Sequence, residues 1–146
     1  MRIKFIIVIW ACLCLSACSN LYEQHYNEYT DYNKINARPK SWFPENIIFE
    51  DAYNLRSVSC LDSLSAFGEF NYSKHLLYDS VFNSKDIIHI PLNVYIEKIK
   101  YNQQNMPKWF HVAGNNLSGL PETILIDRFY ISRDKVNKRI SFVLCD

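Results

Sequence analysis

Few residues in this chain have the types and spacing that catalysis or metal binding requires. The chain has four histidines, His25, His75, His89 and His111. They are far apart in sequence, so only the fold could bring them together. Glu50 and Asp51 are neighbours, but adjacent residues on a strand point to opposite faces and cannot share an acid–base role. We therefore expect no enzymatic activity, no metal site and no cofactor.

Recognised catalytic motifs do not occur either. The chain lacks a Gly-x-Ser-x-Gly nucleophile elbow, a glycine-rich phosphate loop, and a His-Glu-x-x-His or paired-cysteine metal pattern. Cys60 could act as a nucleophile only as a thiolate beside a histidine. The residue types that remain favour surface recognition over chemistry.

The N-terminal residues have the layout of an export signal. Arg2 and Lys4 precede an apolar run over residues 5–15, which is too short to cross a hydrocarbon core of about 30 Å as a helix. The run leads into the tetrapeptide Leu-Ser-Ala-Cys, in which small residues precede Cys18. This tetrapeptide resembles the lipobox of bacterial lipoproteins.

The lipobox resemblance implies a signal peptide over residues 1–17, cleavage before Cys18 and acylation of its thiol. Ser19 follows the cysteine, and a residue other than Asp at that place implies transfer to the outer membrane, with the protein facing the periplasm. The membrane is then a partner through the lipid anchor. The alternatives for this segment are a plain signal peptide or an amphipathic anchor.

Two cysteines remain beyond the lipidation site, Cys60 and Cys145. In an oxidising periplasm the simplest expectation is a disulfide between them. Closing so long a loop would stabilise the fold by about 4–5 kcal/mol in the chain-entropy model. The alternative is two small buried thiols, because cysteine is often a core residue.

Residues 18–38 are predicted to form a lipidated tether that is partly helical or flexible. Tyr22, Tyr26, Tyr29 and Tyr32 recur at spacings of four, three and three, which places them along one helical face. The stripe indicates either a helix lying on the membrane or a partner, or a partly ordered tether packed on the domain. Proline follows Arg38 and ends the segment, since it disfavours helical backbone at the residue before it.

Residues 39–146 have the composition of a single globular domain. Basic and acidic residues are nearly balanced in the chain, 16 against 15, without blocks of like charge, so we expect no nucleic-acid partner. Aromatic residues reach 15%, whereas glycine and proline are few. This composition is typical of an ordered domain rich in β-structure.

The periodicity of the domain predicts an α+β fold, with a small antiparallel sheet, one main helix over about residues 92–103 and a C-terminal β-hairpin. Leu92, Tyr95 and Ile99 recur at helical spacing. The hairpin is predicted over residues 123–132 and 138–145. Its last strand has apolar residues on both faces, which favours a central place in the sheet.

The first half of the domain gives weaker signals. Residues 66–72 alternate as a half-buried strand does. Residues 51–65 contain several serines and aspartates and are predicted as a loop. Residues 73–83 fit either a short helix or a strand.

Five aromatic residues in turn-prone segments are candidates for partner binding. They are Trp42, Phe43, Trp109, Phe110 and Tyr101. Tryptophan and tyrosine in loops are the residue types that anchor protein interfaces. The alternative is that these rings pack at the rim of the core.

The combination of features resembles the small periplasmic immunity lipoproteins encoded beside polymorphic or type VI secretion toxins. The resemblance is carried by the lipobox, by residues 39–44 (Pro-Lys-Ser-Trp-Phe-Pro), by residues 67–70 (Phe-Gly-Glu-Phe) and by the terminal strand over residues 139–145. It implies a protein that binds and neutralises a secreted toxin. The alternative is a structural or adaptor lipoprotein of an envelope assembly.

Overall fold

A seven-stranded antiparallel sheet forms the centre of the protein in the computed structural model, which describes residues 20–112 and 121–145. The strands are β1 (Leu21–Glu28), β2 (Ala52–Cys60), β3 (Ser65–Tyr72), β4 (Ile88–His89), β5 (Glu122–Ile126), β6 (Phe129–Asp134) and β7 (Arg139–Leu144). Their order across the sheet is β1-β2-β3-β7-β6-β5-β4. The predicted signal peptide and Cys18 lie outside the described residues.

Short helices connect the strands and cover the sheet. They are α1 (Tyr29–Asn33), α2 (Ala37–Lys40), α3 (His75–Phe82) and α4 (Leu92–Tyr101), with 3-10 turns at Glu45–Ile47 and Gln103–Asn105. No helix in the described ranges is long and apolar enough to cross a membrane.

The sheet separates two hydrophobic clusters, one on each face. The larger cluster packs Tyr78 and Phe82 of α3 against side chains such as Phe142. The smaller packs Tyr95 of α4 against Phe67, which points to the opposite face. Because both faces are covered, β3 and β7 are buried along nearly their whole length.

Several predictions for the second half of the domain are confirmed. The helix over residues 92–103 is present as α4, which ends at Tyr101 and continues as a 3-10 turn. The last strand, β7, is the central strand of the sheet. In the first half, residues 73–83, for which the sequence allows either a short helix or a strand, contain the helix α3. The antiparallel sheet and its packed helices give a mixed α and β fold, but the sheet is larger than the small one expected.

The predicted hairpin is part of a three-stranded meander. Residues 123–132, expected as one strand, are divided into β5 and β6 by a tight turn at Asp127 and Arg128. Asp127 adopts a left-handed conformation with φ of 53°, which short turns require and which aspartate tolerates better than most residues. The turn contains no glycine, so the usual sequence signal for it is missing.

The predicted loop over residues 51–65 is wrong, because most of it is strand β2. Three of its serines, Ser57, Ser59 and Ser65, are buried members of the sheet, and only Ser63 lies in the turn between β2 and β3. The Ser57 hydroxyl donates to Oε1 of Gln24 at 3.3 Å, and the Ser59 hydroxyl donates to the carbonyl oxygen of Tyr22 at 3.3 Å. These hydrogen bonds join β2 to β1 and satisfy polar groups that would otherwise be costly to bury.

The prediction that residues 18–38 form a tether is also wrong for the part that the structure describes. Residues 21–28 form β1, the edge strand, which pairs with β2 along its length. Helix α1 follows, and its Tyr32 is buried in the larger cluster. The folded domain therefore begins well before residue 39.

Candidate functional site

A buried carboxylate marks one face of the sheet. Glu69 on β3 is only 2% exposed, yet its charge is well compensated. Nε of Arg56 donates to its Oε1 at 3.1 Å, and a second guanidinium nitrogen contacts the same oxygen. The backbone N–H of His111 donates to Oε2 at 3.3 Å, and the ring Nδ1 lies 2.9 Å from it. Since a carboxylate only accepts, Nδ1 carries the proton.

The strand register places the charged pair. Arg56 on β2 lies directly opposite Glu69 on β3, so both side chains project from the same face. A bulge next to Arg56, where Asn54 has φ of 52°, shifts the register between Tyr53 and Arg56. Bulges commonly re-aim side chains in this way.

Trp109 covers the arginine from above. The centre of its ring lies 4.4 Å from Cζ of Arg56, a cation–π distance. Its Nε1 donates to Oε1 of Glu23 on β1 at 3.2 Å. Trp109 and His111 lie in the segment after the Gln103–Asn105 turn, which crosses this face of the sheet. We call Glu23, Arg56, Glu69, Trp109 and His111 the Arg56 cluster.

The Arg56 cluster lies above the smaller hydrophobic cluster. Burial, together with the charge of Glu69, raises the pKa of Tyr95 well above its usual range. The Tyr95 hydroxyl is buried and has no hydrogen-bond partner in the part of the chain described. The cluster therefore has an apolar, closely packed base and a polar outer rim.

The outer side chains of the cluster are accessible. The side chain of His111 is 51% exposed and that of Arg56 is 25% exposed. Glu23 is also exposed, and Trp109 is half-buried. No group of three or more metal-ligating side chains occurs within residues 20–112 and 121–145. The arrangement presents an ordered tryptophan, an arginine and a histidine on one surface.

The five predicted partner-binding residues do not share a surface. Trp42 and Phe43 belong to the larger cluster, whereas Trp109 and Phe110 belong to the smaller one across the sheet. Phe43 and Phe110 are buried, so these two rings pack in the core. Tyr101, at the end of α4, is 80% exposed.

Cys60 and Cys145 are both buried, and the described residues contain no disulfide between them. Ser65 pairs with Cys60, and the neighbouring Ala66 pairs with Leu144, so the two cysteines flank β3. Two inter-strand spacings correspond to about 10 Å, beyond the usual Cα separation in a disulfide. The bridge remains a prediction, which mass spectrometry after alkylation without reductant would test.

From the sequence alone Trp109 is a candidate binding residue, but its partners are not. The sequence predicts Arg56 in a loop and Glu69 in a half-buried strand, and it assigns no role to either. In the sequence His111 is an isolated histidine. A signal was present, because a carboxylate between Gly68 and Phe70 is unusual in an apolar strand and requires a buried counter-charge.

Comparison with known proteins finds a family model that matches part of the chain. Residues 21–71 match the family model described as the YbbD head domain. The matched segment begins at the first residue of β1 and ends within β3. No curated protein and no solved structure matches the chain.

Proposed function

We propose that this protein is a lipoprotein, anchored by Cys18 in the outer membrane and facing the periplasm, that binds a protein partner through the Arg56 cluster. In this proposal it acts as an immunity protein that neutralises a secreted toxin by stoichiometric binding, without catalysis. The single observation that carries the binding site is Trp109, held between Arg56 and Glu23 on an accessible face.

The residue types of the cluster support protein binding. Tryptophan and arginine are the residues most enriched among those that dominate interface energies. Here both are held in place before any partner arrives, because Glu69 orients Arg56 and Glu23 orients Trp109. Side chains that are already ordered lose less conformational entropy on binding.

The charges of the cluster suggest the chemistry of the partner. Glu69 neutralises Arg56 from below, while Glu23 and His111 reach the solvent at the edges. A complementary surface would therefore combine an apolar patch for the tryptophan ring with polar groups of both signs around it. Strongly basic or acidic partners, such as nucleic acid, would not fit.

The proposal is tested by affinity capture with the full-length protein from its native host. Trp109→Ala should weaken capture of the partner by about thirtyfold, since central interface anchors contribute about 2 kcal/mol or more. Trp42→Ala is the matched control, because Trp42 is also half-buried but lies across the sheet. Equal capture by both variants and the wild type would remove the Arg56 cluster as the binding site.

The identity of the captured partner separates the immunity proposal from the adaptor alternative. An immunity protein should retain one soluble effector at a one-to-one ratio, and cells lacking its gene should become sensitive to that effector. Co-purification with a multi-subunit envelope assembly, together with unchanged fitness of the deletion strain in competition, would favour an adaptor instead.

A further inference from the structure

Exposed apolar side chains gather at one corner of the sheet. They are Leu21 and Tyr22 at the start of β1, and Leu61 and Leu64 in the turn between β2 and β3, all between 43% and 50% exposed. The first residue of β1 pairs with Cys60, the last residue of β2, so the two segments are adjacent. We call these four residues the leucine corner.

A shallow cavity extends the apolar surface of the leucine corner. It has a volume of about 280 Å³ and is lined by Tyr22, Pro39, Trp42 and Leu61. Trp42 thus lies beside the corner. Tryptophan and tyrosine are the aromatic residues enriched where proteins meet the headgroup region of a bilayer.

The leucine corner is joined directly to the chain that leads to Cys18. The side-chain amide of Asn20 donates to both carboxylate oxygens of Asp62 at 3.0 Å. The backbone N–H of Leu61 donates to the carbonyl oxygen of Asn20 at 3.4 Å. Two residues span at most about 7 Å, so a lipid on Cys18 would hold this corner close to the bilayer.

The backbone of the turn gives a second, independent indication. Leu64 has φ of 46°, in the left-handed region. Glycine or asparagine adopts this conformation at little cost, whereas leucine does not. Leu64 is 49% exposed, so its contacts within the chain provide only part of the free energy that full burial of its side chain would give. Contact with an apolar surface outside the chain would provide the rest.

We infer that the leucine corner contacts the lipid surface beside the anchor, so that the domain is docked on the membrane and does not swing freely from it. The inference rests on the proposed lipidation of Cys18. Neither residues 20–22 nor residues 61–64 include a basic side chain, and Asp62 is acidic. Apolar burial, and not attraction to anionic lipid, must therefore drive the contact.

The test measures the depth of a single added tryptophan in the full-length, acylated protein. Leu64→Trp places the probe in the corner, and Leu61→Trp is a second probe in case the first disturbs the turn. Leu76→Trp is the matched control, because Leu76 is 83% exposed on α3, which follows the opposite end of β3. Each variant is placed in phosphatidylcholine vesicles with brominated acyl chains, and the wild-type emission is subtracted.

We expect the corner probes to lose at least about half of their emission, because apolar side chains of interfacial segments sit about 5–10 Å into the headgroup boundary. The control should lose almost none. If the protein is acylated but corner and control probes are equally unquenched, the docking inference is wrong while the anchor stands. The same absence of quenching would result if a second copy of the chain covered the leucine corner. In that case the protein would be a dimer in detergent.

Failure of the anchor itself gives a different result. If mass spectrometry finds no acyl groups on Cys18 and the protein leaves the membrane fraction, the proposed anchor is wrong, and the docking inference fails with it. The acyl mass and the quenching ratio therefore report separately on the two proposals.

Discussion

Among the described residues, each face of the sheet buries one charged side chain, a carboxylate on one face and a guanidinium on the other. Glu69 on one face is held by Arg56 and by the His111 segment. On the other face, Arg133 is fully buried and donates to Glu122 at 2.7 Å and to Asp79 at 2.9 Å. Buried charges are tolerated only when they are paired in this way. Both groups reach the surface, because the side chains of Asp79 and Glu122 are 37% and 32% exposed. The Glu69 group differs in that an accessible tryptophan, Trp109, lies over its arginine, and the candidate binding site is therefore placed there.

Tyr95 gives a direct test of the packing beneath the Arg56 cluster. Its hydroxyl is buried without a partner among the described residues, so Tyr95→Phe should raise the free energy of unfolding by about 1 kcal/mol. Urea denaturation followed by circular dichroism would measure the change.

Tyr26→Phe is the matched control for Tyr95→Phe. The hydroxyl of Tyr26 accepts a hydrogen bond from Nε2 of Gln24 at 2.9 Å. Removing it should lower the free energy of unfolding by about 1 kcal/mol. A clear loss of stability in Tyr95→Phe would mean that its hydroxyl is hydrogen-bonded after all.

The elements differ in how far their sequences predict them. Helix α4 is predicted because Tyr95 and Ile99 are four residues apart and polar residues lie between them. Strand β1 is missed because Tyr22 and Tyr26 are also four residues apart, and this spacing fits one face of a strand as well as one face of a helix. Only pairing with β2 decides between the two.

The candidate site is also predictable only in part, because strand pairing brings its residues together. Trp109 has the residue type of an interface anchor, so its type alone makes it a candidate. Its partners Arg56 and Glu69 meet through strand register, which cannot be derived from the sequence because the serines of β2 predict a loop. A serine can be buried in a strand when a neighbouring strand offers a hydrogen-bond acceptor for its hydroxyl, as Gln24 does for Ser57. The sequence around the serine does not show whether such an acceptor is present.

Strand β3 depends on Gly68 for its contact with β7. Gly68 lies opposite Phe142, and a Cβ at Gly68 would overlap the ring of Phe142 and lie 2.8 Å from the carbonyl oxygen of Arg56. Gly68→Ala should therefore lower the free energy of unfolding by about 2–3 kcal/mol. Thermal and urea unfolding would measure the loss.

A double-mutant cycle identifies the cause of the Gly68→Ala effect. Phe142→Leu removes the overlapping ring atoms, so the double variant should lose less stability than the sum of the two single variants. Strict additivity would show that the ring is not the obstacle.

Arg133 on β6 joins Glu122 on β5 to Asp79 on α3. These ion pairs should make the free energy of unfolding depend on pH. Burial opposes ionisation of Glu122, but hydrogen bonds from Lys135 and Arg133 outweigh it and hold the pKa of this carboxyl below its usual 4.5. A lowered pKa in the folded state stabilises the protein above the unfolded pKa, and this contribution is lost as pH falls through the folded value.

Glu122→Gln should therefore reduce the free energy of unfolding by about 2 kcal/mol at pH 7, with the difference from wild type shrinking below pH 4.5. Urea denaturation at a series of pH values would measure it. Glu97→Gln, on the exposed side of α4, should change little at any pH. A difference that stays constant down to pH 3 would contradict the assignment.

At the scale of the molecule, the strands in residues 20–112 and 121–145 form a single sheet, and its first strand lies next to the proposed anchor. A chain beginning at residue 39 would lack β1 and α1, and it would expose the edge of β2 and the site of the buried Tyr32. We expect this truncated chain to be unfolded or aggregated, whereas a chain beginning at residue 19 should fold. Amide proton spectra of the two chains would measure the difference. If the amide proton chemical shifts were equally dispersed in both spectra, residues 18–38 would not be needed for folding and would be only a tether.

Asn20 forms hydrogen bonds with Leu61 and Asp62 in the turn between β2 and β3. Very few residues therefore separate Cys18 from the folded domain. Under the proposed anchoring, the start of the folded domain would stay within about 7 Å of the lipidated cysteine, and so close to the bilayer surface. A toxin would then be intercepted when it reaches the membrane surface and not while it diffuses through the periplasm. Protection would depend on the number of copies per unit area of membrane, so a cell that doubles its surface would need twice as many.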